Sequence, residues 1–184
     1  MPRTLSTTRI WVVPARWWLG AVLAALFHEI SHFAAIYLTG GRLIGISIGV
    51  VGAKMEIMHM SRGREALCAL AGPVGSLLLA LGFSFFPEMA LCALVQGLYN
   101  LIPVYPLDGG RVVRNLLQIL VKKGKQSSVM TGIEATSMLI MVILSLYCVI
   151  VLQLGYLPLI FVSILFYRVF QRKLSCKEVQ LAVQ

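Results

Sequence analysis

The feature that most constrains this chain is a series of five apolar stretches, several of them close to the ~20 residues that cross a bilayer as a helix. They run from about Trp17 to Leu38, Ala66 to Phe86, Met89 to Ile102, Ile133 to Leu154 and Tyr156 to Phe170. Soluble domains hold roughly 45–50% apolar residues. Here 59% of 184 residues are hydrophobic and the mean hydropathy is +0.87, more than a water-soluble core requires. The pattern predicts an all-α polytopic membrane protein with about five transmembrane helices, held in the lipid bilayer. The length suits one integral-membrane domain over residues 1–184, with a core at about 17–120 and two further transmembrane helices at about 133–170.

Charge sets the expected orientation. The net charge of +9 comes from 16 Lys and Arg against 7 acids, and the basic residues fall between the apolar stretches. Arg42, Lys54, Arg62 and Arg64 follow the first, Arg111 to Lys125 the third, and Arg168 to Lys177 the fifth. The connections at Pro87-Glu88 and Gly155 carry none. Cytoplasmic loops concentrate Lys and Arg, so the three basic regions are expected on the cytoplasmic face of a multi-pass cell-membrane protein, against anionic headgroups. This placement argues against nucleic acid as a partner. The same parity puts the N-terminus outside, although Arg3, Arg9 and Arg16 lie there. Residues 1–16 in the interface, an irregular first segment, or an earlier span absent from the chain would each reconcile the two. The first stretch lacks a small-x-small cleavage site, so a cleaved signal peptide is not expected. Cys68, Cys92, Cys148 and Cys176 form no CxxC pair and read as packing residues.

Two regions break the helical texture. Gly41 to Met60 carries β-branched residues in loose alternation, with Gly49 and Gly52 flanking Val50-Val51. It reads equally as a membrane-associated, hairpin-like pair of short strands or as an interfacial loop. The third apolar stretch is short, and its polar end is expected within the membrane thickness. Irregular backbone is tolerated there only against protein or a wet cavity, which marks a site.

His28-Glu29-Ile30-Ser31-His32 is an HExxH motif in a strongly helix-compatible context. Positions i and i+4 share a helix face, so both imidazoles can bind one metal ion, with Glu29 beside them to take a proton from an activated water. The alternative is a pair of histidines satisfied by neighbouring helices. Ionisable groups within an apolar helix cost about 2.5–3.5 kcal/mol each on insertion scales for Asp, Lys and Arg, and default to function. With six to ten residues left before Leu38, the motif is expected roughly 9–15 Å from the cytoplasmic end of its helix.

A catalytic zinc wants three protein ligands and an open position. The third histidine, His59, reads as an interfacial residue beside Met58 and Met60. The other candidate is Asp108, the chain's single aspartate, in Asn100-Leu-Ile-Pro-Val-Tyr-Pro-Leu-Asp-Gly-Gly-Arg111. Composition alone favours a turn leaving the membrane, with the Asp-Gly pair aiming a carboxylate from it. The short preceding span and the need for a third ligand favour Asp108.

Together, HExxH in a membrane helix and Asn100, Pro103, Asp108 and Gly109 in a later NxxPxxxxDG segment resemble the site-2 protease family, closest to the bacterial branch of the stage IV sporulation protein FB. The resemblance covers about residues 20–120, including Ala71-Gly72-Pro73. It implies an intramembrane metalloprotease domain with zinc on His28, His32 and Asp108, and Glu29 as the base. It also implies that Asn100 orients substrate or steadies the tetrahedral intermediate, and that the 42–58 loop pairs with an unwound substrate. The expected partners are a membrane-bound protein substrate, a pro-sigma factor if the sporulation branch applies, and membrane proteins that regulate cleavage. Two departures from the family pattern are a missing or reduced span before HExxH and the lack of a CBS or PDZ domain after the fifth segment. Water must reach the metal, so a polar cavity is expected near Asp108 and the basic loop. The rival readings are a membrane metal transporter, which would need more ligands in the last two segments, and an inactive homologue that binds membrane helices.

Overall fold

The fold is that of a computed structural model in which residues 14–41, 43–49, 52–57, 60–82, 86–153 and 155–182 are described. Among these described residues, six helices and two strands follow one another: α1 (Ala15–Leu38), β1 (Leu43–Gly49), β2 (Gly52–Ile57), α2 (Arg62–Ala80), α3 (Pro87–Asn100), α4 (Asp108–Leu120), α5 (Gln126–Ile150) and α6 (Leu157–Ala182).

The inner face of α1 is a stripe of every fourth residue: Gly20, Ala24, His28, His32 and Ile36 are buried. Its other faces are apolar and outward, with Leu19, Leu26, Ile30 and Phe33 at least half exposed. A helix with a small-and-polar inner stripe and an oily exterior suits lipid rather than water. α1 ends where Gly40 turns to φ 73°. There the Gly40 N–H donates to the Tyr37 carbonyl and the Gly41 N–H to the Ile36 carbonyl, a Schellman closure that glycine permits without strain.

α2 is the hub, packing against α1, α3 and α4. Its buried residues are Ala66, Cys68, Ala69, Gly72, Pro73, Gly75 and Ser76, all small enough to let three neighbours approach its backbone. At the far end of α1, Arg16 pairs with Glu88 at the start of α3 across 3.1 Å, so those two helices begin at one end of the bundle. α6 closes the other side, where Leu165 and Val169 pack on Val104 and Leu107 of the 101–107 segment. β1 and β2 pair antiparallel, Ser47 opposite Lys54 and Gly49 opposite Gly52, with an irregularity between Leu43 and Gly45.

Two expectations change. Among the described residues, α1 and α5 are the helices long and apolar enough to cross a membrane, with a shorter apolar stretch at Leu157–Gln171. α2 opens on Arg62, Arg64 and Glu65 and α3 has 14 residues, so five full spans are not what length and apolarity support. Second, residues 108–120 form a helix rather than a turn out of the membrane. Asp108 is its first residue, so its carboxylate is aimed by a helix start. Gly109 and Gly110 serve close packing: a Cβ on either would collide with backbone of Leu101–Ile102 or Val104–Tyr105. His59, Arg3 and Arg9 lie outside the described residues.

Candidate metal centre

The HExxH helix and the Asp108 helix meet over α2. Asp108 Oδ2 lies 3.1 Å from His28 Nε2 and 3.1 Å from His32 Nε2, and the two Nε2 atoms are 3.3 Å apart. All three residues are buried. A second layer fixes this convergence. His28 Nδ1 is 2.8 Å from Ser76 Oγ and His32 Nδ1 is 2.7 Å from the Cys68 carbonyl oxygen, both from α2. A carbonyl only accepts, so the His32 Nδ1 carries the proton, the tautomer that frees Nε2 for a metal.

The donor set fits zinc. Bonds of 2.0–2.1 Å at the tetrahedral angle separate neighbouring ligand atoms by about 3.3 Å, and the three separations here are 3.1, 3.1 and 3.3 Å. Two imidazoles and one carboxylate leave a fourth position open, the pattern of catalytic rather than structural zinc. A carboxylate at this point supplies the anionic ligand that completes a set with two neutral imidazoles. Its second oxygen, Oδ1, is 3.6 Å from Arg111 one turn along α4.

Sequence reasoning picked out all three cluster members, His28, His32 and Asp108. Glu29 sits between the histidines on α1, half-buried. Asn100, the last residue of α3, donates its amide to the Gln96 carbonyl at 3.2 Å and stands outside the cluster. The residues missed are Ser76 and the Cys68 carbonyl, and Gly72 had no role beyond its place in Ala71-Gly72-Pro73. A Cβ on Gly72 would strike the His32 ring, so this glycine makes room for the ligand. Beside Arg111 lies a polar pocket of about 240 Å³ bordered by α2, α4 and Tyr105, in the region where the sequence called for water access.

A helical bundle that brings an HExxH pair and a distant aspartate to one candidate metal position has the ligand pattern of a catalytic zinc site. Residues 56–144 match the model of peptidase family M50, a span that holds Asp108, Asn100 and the α2 anchors but not the HEISH helix. The chain is 23% identical over 138 residues to zinc metalloprotease MJ0392 of Methanocaldococcus jannaschii, covering 67% of this chain and 41% of that one. It is 29% identical over 123 residues to sll0528 of Synechocystis sp., covering 55% and 32% respectively. The chain thus spans less than half the length of these relatives. Its fold resembles the solved site-2 protease from Methanocaldococcus jannaschii, with a TM-score of 0.63 at 20% identity over 90% of this chain and 80% of that one. The chain is thus similar in sequence to peptidase family M50 and to zinc metalloproteases, and in fold to a site-2 protease.

Proposed function

We propose that this chain is an intramembrane zinc endopeptidase that cuts a membrane-associated protein segment. The observation that carries the reading is the convergence of His28 Nε2, His32 Nε2 and Asp108 Oδ2 at separations of 3.1–3.3 Å inside an apolar bundle. Zinc at that position would supply a Lewis acid that lowers the pKa of water toward ~7 and polarises the scissile carbonyl.

The chain's own residues do the rest. Ser76 and Cys68 hold both imidazoles in the ligating orientation. Glu29 takes the proton of the attacking water and returns it to the leaving amine. Asn100 donates its amide to the developing oxyanion or to the substrate backbone. The β1–β2 pair offers an edge on which an unwound substrate can lie extended, since a helical substrate hides its peptide carbonyls. The basic residues of α2's first turn and of α4 support a site facing the cytoplasm. The resemblance to the sporulation branch supports a pro-sigma factor as substrate and membrane regulators as partners.

The test is co-expression with a candidate substrate and zinc analysis of the purified chain. Glu29→Gln should abolish cleavage and keep zinc, because only the base is lost. His28→Ala and Asp108→Ala should lose both. Cleavage that persists in Glu29→Gln would sink the assignment.

A further inference from the structure

α4 is amphipathic in a way the metal centre does not require. Arg111, Arg114, Asn115 and Gln118 recur at i, i+3, i+4 and i+7, which is one helix face. That face forms a wall of the polar pocket, opposite Arg62 and Glu65 in the first turn of α2. Three guanidiniums against one carboxylate leave an excess of positive charge in the lining. Their present partners are weak or exposed. Arg62 pairs with Glu65 at 3.1 Å on the surface, Arg114 lies 5.1 Å over the Tyr105 ring, and Arg111 stands 3.6 Å from Asp108.

We infer that this pocket is a specificity subsite that takes an acidic side chain of the substrate, close to the bond that is cut; this rests on the protease reading above. Three features point to that ligand. Guanidiniums present forked donors that match a carboxylate. The volume of about 240 Å³ lies below the ~300–1,000 Å³ of pockets for whole small molecules, so a side chain fits it better than a free metabolite. Arg111 links the pocket to the metal ligand Asp108 within one helical turn, so a chain crossing the metal centre reaches it. In addition, Gln118 Oε1 in the lining is buried without a hydrogen-bond partner among the described residues. A bare anion could not satisfy that acceptor, whereas a peptide brings N–H groups with its carboxylate.

The experiment uses the full chain as Glu29→Gln in neutral detergent micelles. The probes are fluorescent peptides with one Leu/Ala membrane segment and a polar flank in which a single Glu is moved position by position. Each is matched by a Gln peptide and read by anisotropy. At one flank position Glu should bind about tenfold tighter than Gln, the scale of one charge-assisted pair. Arg62→Gln with Arg114→Gln should erase the difference, and Arg114→Glu should turn the preference toward Lys. Equal binding at every position, or discrimination that survives the double variant, overturns the subsite. So does binding of phosphatidylglycerol through these arginines with no peptide discrimination, which makes the pocket a headgroup site. Discrimination in a chain that holds no zinc and cuts nothing as wild type would strike the protease reading and leave the subsite standing.

Discussion

Ser76 Oγ sits 2.8 Å from His28 Nδ1, across 48 residues of sequence and from a different helix. Ser76 is fully buried, and its hydroxyl holds the imidazole with Nε2 toward Asp108. Outer partners of metal-bound histidines typically set 10–100-fold in affinity. Ser76→Ala should therefore lower zinc affinity by about 10–100-fold, read by competition with a fluorescent chelator, while the helix content stays. Unchanged affinity would show that packing alone orients His28.

Gly72 makes the complementary prediction. Its α2 position lies directly under the His32 ring, and a methyl there has no room. Gly72→Ala should push His32 off the metal position. Zinc per chain should fall well below one and cleavage should be lost, with overpacking costing about 1–3 kcal/mol of stability. Gly63→Ala is the control: it lies in the same helix with nothing near its added carbon, so it should keep its zinc. Zinc content by atomic emission together with a thermal melt separates the two variants.

These two residues mark the limit of what could be read from the chain. HEISH was legible because i and i+4 share a helix face whatever the surroundings. Asp108 was legible because Pro103 and Pro106 break an apolar run just before the chain's single aspartate, and Gly109-Gly110 follow it. The helix that begins at Asp108 was not, since DGGR looks like a turn until Leu101–Tyr105 is seen packed against both glycines. Ser76 and Gly72 gave only the weak signal of small residues, Ala69, Gly72 and Ser76, recurring at helical spacing in an apolar segment. That spacing tells of a close neighbour but not that the neighbour is a histidine. Likewise, five apolar stretches predict five spans, whereas α2's charges and α3's length leave α1 and α5 as the helices that meet the length and apolarity of a span among the described residues.

Glu134 tests how the Asp108 segment is held. It is buried on α5 and accepts the Tyr105 N–H at 3.2 Å, three residues before Asp108. Glu134→Leu removes that acceptor from a buried donor, at about 1–3 kcal/mol. Glu134→Gln keeps a carbonyl oxygen in place. The expected order of melting temperature and of zinc retention is wild type, then Gln close behind, then Leu clearly lower. If Gln falls as far as Leu, the charge of Glu134 matters more than its acceptor oxygen.

Asn100 separates catalysis from scaffolding. Its amide donates to Gln96 within its own helix at 3.2 Å, a bond long enough to give up when a better acceptor arrives. The residue is half-buried at the end of α3, where the chain turns toward Asp108. If its role is to donate to an oxyanion, Asn100→Ala should lower kcat by about 10²–10³-fold with zinc content and melting temperature nearly unchanged. Asn100→Asp, which replaces the donor by an acceptor, should be at least as damaging although its shape is kept. A loss of zinc in Asn100→Ala would instead assign the residue to holding the α3–α4 connection, and the substrate carbonyl would then need another donor.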